Sequence, residues 1–160
     1  MQDPSSEHDR AAYLAPPGLL FFGCLAIAYV LELLLPPGWV EGGWPQRGVM
    51  VGVLFLASFS IGVVCFWLFR RHGTSVEPFE PTTALVKSGP YRFSRNPLYV
   101  AQLLGFTGFA VLAGSLWLAS FIPLVFLLLH YGAILPEERY LERKFGEEYR
   151  SYKAQVRRWL

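Results

Sequence analysis

Charge is what this chain has least of. Only 16% of its 160 residues are charged, against 53% that are hydrophobic, and not one Lys, Arg, Asp or Glu occurs from Leu98 to Leu135. A soluble domain has about a quarter of its residues charged, so this scarcity excludes an ordinary water-soluble fold. Cysteine is nearly absent as well. Cys24 and Cys65 stand alone, with neither a CxxC pair nor a His/Cys spacing, which excludes a disulfide framework and a metal site by pattern and leaves both as core residues. A strong basic excess is also missing. With 14 Lys and Arg against 12 Asp and Glu, the net charge of +2 is explained by topology and anionic headgroups rather than by nucleic acid, for which no binding pattern exists. No repeat, low-complexity segment or long linker divides the chain, so residues 13–160 are expected to form a single domain behind a disordered segment, 1–12.

What is present is long apolar sequence. Val49 to Phe69 runs 21 residues without a charge between Arg47 and Arg70-Arg71, which matches the roughly 20 residues needed to cross a bilayer. A first span covers about residues 17–35, with no cleavage site after it, and carries one charge, Glu32. Glu32 lies a turn before Pro36-Pro37, within snorkelling reach of the headgroups. The uncharged stretch from Leu98 to Leu135 is almost twice as long as one crossing requires, and Ala113-Gly114-Ser115 is its natural break. The expected fold is therefore all-α: a polytopic membrane bundle of about four helices, 17–35, 49–69, 98–112 and 116–135, the last two forming a hairpin. Ala101, Gly105 and Gly108 allow a neighbouring helix close approach, and Pro123, whose ring removes one backbone hydrogen bond, is expected to kink the longer arm.

The polar sequence is concentrated in two places. An island over 70–97 holds Arg70, Arg71, Lys87, Arg92 and Arg95, whereas the loop before the second span has only Arg47. By the positive-inside rule both termini and the island face the cytoplasm. Asn96-Pro97 predicts an N-cap followed by proline in the first helical turn, and such a helix start suits an anionic ligand group. After Pro136, Glu137 and Glu138 sit in a dipole-favoured first turn, and Leu141, Phe145, Tyr149, Tyr152 and Val156 recur at helical spacing. This predicts one interfacial helix over 136–157, weakened by Gly146. On local pattern alone Glu137 and Glu138 are equivalent helix-dipole charges.

Leu85-Val86-Lys87-Ser88-Gly89-Pro90-Tyr91-Arg92, Arg95-Asn96-Pro97-Leu98-Tyr99, Glu137-Glu138 and Phe145-Gly146-Glu147-Glu148-Tyr149 with Tyr152 together resemble the isoprenylcysteine carboxyl methyltransferase family, which also takes in bacterial relatives and phospholipid methyltransferases. The resemblance covers roughly Gly73 to Trp159. It implies an integral membrane methyltransferase that uses S-adenosylmethionine and methylates a lipophilic or small acceptor such as an isoprenylcysteine carboxylate, a phospholipid or a thiol. The membrane would be the inner membrane of a bacterium or the endoplasmic reticulum of a eukaryote. Carried over by position, the family's cofactor contacts fall on Thr83, Ala84, Leu85, Val86, Tyr91, Asn96, Pro97, Leu98, Tyr99 and Glu137. Asn96 stands where many eukaryotic members have histidine, and Tyr131 to Leu135 lacks the substrate-binding arginine of the prenylcysteine enzymes. Arg95 and Glu137 are the candidate catalytic residues; Arg95 suits either an acidic substrate group or an interface anchor. His72 and His130 are the only histidines near the site. The alternatives are a nicotinamide-dependent membrane reductase of the sterol-reductase type and a non-catalytic membrane module.

Overall fold

The computed structural model describes residues 13–35, 44–74 and 82–160, with the side chains of 44–46 excepted. The expected disordered segment 1–12 and the part of the island that holds Pro78 and Pro81 lie outside these residues. Within them the chain is helical: α1 (Pro17–Leu34), α2 (Trp44–Arg71), a 3-10 turn (Gly89–Arg92), α3 (Pro97–Ala113), α4 (Leu116–Leu129), a π-helical turn (His130–Ile134), α5 (Leu135–Phe145) and α6 (Glu147–Gln155).

Three helical stretches are long and apolar enough to cross a membrane, Pro17–Leu34, Arg47–Arg71 and Leu116–Phe145. With α3, whose 17 residues reach about 25 Å at about 1.5 Å each, they form a helical membrane bundle. Val49 and Val53 of α2 are 70% and 61% exposed, an apolar surface that only lipid solvates well. At the end of α2 the guanidinium groups of Arg70 and Arg71 lie over the Phe66 and Trp67 rings, 5.2 and 5.1 Å from their centroids, and complement the helix dipole. The small residues of α3 face α2. Ser58 Oγ donates to the Ala101 carbonyl at 2.7 Å, and a Cβ on Gly105 or Gly108 would lie 3.1 Å from Ser58 or Phe55.

Gly114 closes α3 in the left-handed region, at φ 62°, and Ser115 caps α4 by accepting from the Leu118 N–H at 3.1 Å. The Ser115 hydroxyl also donates to the Glu32 carboxylate, so Glu32 packs against the hairpin turn at the end of the bundle opposite the island.

The tail corrects the sequence reading twice. No single helix runs over 136–157: Gly146, at φ 54° and ψ −121°, separates α5 from α6. Nor does Pro136 start a fresh helix, because α4 continues into α5 through the π-helical turn. Leu135 N–H reaches five residues back to the His130 carbonyl, and the Gly132 carbonyl, which the proline ring cannot serve, accepts from Leu14 N–H at 2.9 Å. That bond ties the segment before α1 to the base of α5. A Cβ on Gly132 would lie 3.2 Å from Leu14 Cβ, so the close approach depends on glycine.

Candidate active site

A cavity of about 1120 Å³ opens where α1, α2, α3, α5 and α6 meet the island. Its walls change character along its length. At the island end they carry Tyr13, Tyr91, Arg95, Asn96, Tyr99, Glu137 and Tyr140; deeper in the bundle they are Phe21, Phe22, Phe55, Leu56, Phe59 and Phe109.

Of the residues singled out from sequence, Ala84, Leu85, Val86, Tyr91, Arg95, Asn96, Leu98, Tyr99 and Glu137 line this one cavity. Thr83 and Pro97 do not. Thr83 is exposed and turns its hydroxyl to the Gly73 carbonyl at 2.9 Å, with its N–H bonded to Thr74 Oγ1 at 3.1 Å. Pro97 is buried as the first residue of α3. His72 and His130 also lie off the cavity. His72 Nδ1 is 2.8 Å from the Leu68 carbonyl at the end of α2, and His130 stacks on Phe126 and Trp159.

Glu137 reaches the cavity from the first turn of α5. Its carboxylate accepts from Tyr99 Oη at 2.7 Å and also hydrogen-bonds Tyr13, and among the described residues it forms no ion pair with Lys, Arg or His. Its partners are hydroxyl donors rather than a cation. Burial, reinforced by the negative charge of Glu137, pushes the Tyr13 phenol far above its ordinary range, so it stays a donor at neutral pH. Tyr91 is likewise pushed well up by burial; its ring packs edge-on against Phe69 at 5.7 Å and its carbonyl accepts from Tyr152 Oη at 2.6 Å.

Asn96 occupies the N-cap position of α3 without capping it. Its side chain donates instead to the Arg158 carbonyl at 3.0 Å, which leaves the first turn of α3 without a side-chain partner. Arg95 N–H bonds the Arg157 carbonyl at 2.9 Å and Ser94 Oγ bonds that of Arg158 at 3.2 Å, so the chain's last residues clasp the loop leading into α3.

Glu138 is not the solvated dipole charge that its position suggests. Buried at 4% exposure, it receives Nε and Nη2 of Arg158, both at 2.9 Å, and lies 3.3 Å from Arg95 Nη1. The Arg158 pKa is raised by these hydrogen bonds. Sequence reasoning missed Tyr13, Arg158 and the structural role of Glu138; nothing in local pattern marks partners so far apart in the chain.

A family model described as phospholipid methyltransferase matches residues 47–148. Among curated proteins, the cobalt-zinc-cadmium resistance protein CzcN of Cupriavidus metallidurans is 41% identical over 100 residues, covering 62% of this chain and 46% of that protein. The nickel-cobalt-cadmium resistance protein NccN of Alcaligenes xylosoxydans xylosoxydans is 38% identical over 66 residues, 41% of this chain and 31% of that protein. An uncharacterized protein of Haemophilus influenzae is 47% identical over 68 residues, 39% of this chain and its own whole length. The chain thus spans less than half of the two resistance proteins. No solved structure matches. Among the described residues no group of three or more His, Cys, Asp or Glu is placed to hold a metal ion.

Proposed function

The chain belongs to the phospholipid methyltransferase family, which includes the isoprenylcysteine-methyltransferase-like membrane enzymes, and we propose that it transfers a methyl group from S-adenosylmethionine to a lipophilic or small acceptor. One observation carries this reading. Among the described residues Glu137 has no cationic partner at the polar end of a large cavity, and an α-ammonium group supplies that cation. The residues fit the rest of such a ligand. Tyr91 and Tyr99 offer aromatic faces beside an adenine or sulfonium group, Ala84 to Val86 line the wall, and the uncapped first turn of α3 offers the Leu98 N–H and a positive dipole end.

When bound, S-adenosylmethionine supplies an electrophilic methyl group on a sulfonium. The acceptor atom bonds to that carbon as the carbon–sulfur bond breaks, and the bonding pair goes to sulfur as a neutral thioether; an acceptor that is already anionic has no proton to lose. Such a reaction requires alignment and exclusion of water more than a base. The chain's contribution is then positional: Glu137 and the tyrosines fix one partner, while the phenylalanine-lined depth holds an apolar one. At about 1120 Å³ the cavity lies just above the about 300–1,000 Å³ of single-ligand pockets. Residues 13–160 act in this reading as one domain with the site and both termini on the cytoplasmic side.

Calorimetry in detergent with adenosylhomocysteine and NADPH tests the assignment. Binding of the first and not of the second is expected, with Tyr91→Ala and Asn96→Ala each weakening it by about 1 kcal/mol or more. Binding of NADPH alone would point to a reductase, and binding of neither to a non-catalytic module. A methylation screen of lipids and small thiols with labelled cofactor then identifies the acceptor.

A further inference from the structure

We propose that Arg95 is an anion receptor in the cavity wall, taking a carboxylate or phosphate of a bound molecule. The charges around Glu138 do not balance. Arg158 occupies both oxygens of Glu138 through its Nε and Nη2, which is a complete bidentate pair. Arg95 adds a second guanidinium to the same single carboxylate, with Nη1 3.3 Å from Oε1 but no hydrogen bond. One positive charge is left over. Its side chain is 7% exposed, and Nε and Nη1 are both buried without a hydrogen-bond partner. The Tyr149 hydroxyl hydrogen-bonds this guanidinium, but a neutral hydroxyl does not cancel the charge.

A buried cation with unsatisfied donors is costly unless something completes it, and Arg95 faces the cavity. Among the described residues Glu137, which lines the same cavity, pairs with no cation, while Arg95 shares its one anion, Glu138, with Arg158. The cavity wall thus carries a carboxyl group with no cation among the described residues and a guanidinium that only shares an anion, and a ligand set with complementary charges satisfies both. Two sources of the anion share this chemistry, the α-carboxylate of the cofactor and the acidic head of an acceptor lipid.

The experiment separates them. Adenosylhomocysteine and its decarboxylated analogue are titrated into the parent, Arg95→Gln and Arg95→Lys in detergent; lysophosphatidate and uncharged mono-oleoylglycerol are titrated into the same proteins in zwitterionic nanodiscs. We expect Arg95→Gln to lose about ten- to a hundredfold in affinity for at least one anionic probe and none for its uncharged counterpart. Arg95→Lys keeps the charge but not the planar fork, and falls between. A loss confined to adenosylhomocysteine identifies the cofactor's carboxylate, and a loss confined to lysophosphatidate the acceptor's head. Equal losses for charged and uncharged probes, no loss in either arm, or a parent that binds neither anion overturns the proposal.

Only the cofactor arm rests on the methyltransferase reading. A parent that ignores adenosylhomocysteine sinks that reading, while the lysophosphatidate arm still decides Arg95. If Arg95→Gln does not fold, the parent's preference for charged over uncharged probes and its weakening in Arg95→Lys decide instead.

Discussion

Glu137 and Glu138 are adjacent in sequence and opposite in surroundings, so exchanging each for glutamine separates binding from stability. Glu137→Gln keeps a carbonyl that accepts from Tyr99 Oη, now at 2.7 Å, so the fold is expected to hold. What is lost is one negative charge in the cavity. If that charge meets the cofactor's ammonium, the missing charge-assisted bond is worth about 1.5–3 kcal/mol, or roughly ten- to a hundredfold in adenosylhomocysteine affinity. Glu138→Gln instead leaves the guanidinium groups of Arg95 and Arg158 facing each other without their shared anion. Breaking a buried pair costs about 3–5 kcal/mol; the lower end applies, because the Arg158 side chain is 32% exposed and rehydrates. The expected outcome is a loss of about 3 kcal/mol in reversible detergent unfolding.

The assay is a titration of both variants and the parent with adenosylhomocysteine and with its deaminated analogue. In the parent the deaminated analogue binds weakly. In Glu137→Gln the two ligands converge, since a thermodynamic cycle leaves no ammonium–carboxylate coupling to remove. In Glu138→Gln, at a temperature where it is folded, the difference between the ligands persists. Equal discrimination in the parent and in Glu137→Gln would refute the pairing, and equal losses of affinity in the two variants would deny Glu137 any special place.

Gly89→Ala should destabilise the protein more than Gly73→Ala in detergent unfolding. Both have positive φ, 60° and 63°, and each alanine bears about 1–2 kcal/mol of left-handed strain, but only at Gly89 does the new Cβ meet Leu68 Cδ1, at 2.8 Å. Equal losses would mean that Leu68 moves aside freely. Cysteine probes at Ala113 and Ser151, both exposed, should label from opposite sides of the membrane, with Cys24 and Cys65 silent because they are buried; same-side labelling would overturn the topology. Burial raises the Tyr152 pKa to about 12, so the stability that its neutral hydroxyl contributes is complete below pH 10 and lost as the pH rises towards 12. Tyr152→Phe should therefore flatten the stability profile over that alkaline window while lowering stability at neutral pH through loss of the bond to the Tyr91 carbonyl; an unchanged alkaline slope would exclude Tyr152 as its source.

The helices were legible because lipid imposes a one-dimensional rule. A charge-free run bounded by arginines specifies α2 without reference to any other segment, and Ala113-Gly114-Ser115 specifies the hairpin turn because only a left-handed glycine and a capping serine end one helix and start the next so closely. Pro136 misled for the same reason. Local rules place proline at a helix start, whereas the helix passes through it because Leu14, over a hundred residues earlier, takes up the Gly132 carbonyl that proline leaves unserved.

The acidic pair was undecidable locally. Successive residues on a helix point about 100° apart, and here Glu137 lines the cavity while Glu138 does not. Which of them faces it depends on what packs on the other side. That partner is Arg158, which reaches Glu138 only after the chain has reversed at Gly146, passed through α6 and returned over the Ser94–Asn96 loop. Arg158 therefore bears on both sites: it holds Glu138 while Glu137 lines the cavity, and by occupying both oxygens of Glu138 it leaves Arg95 without a hydrogen bond to that carboxylate. The charges that set the chemistry of the cavity were legible as residues, but not as a circuit.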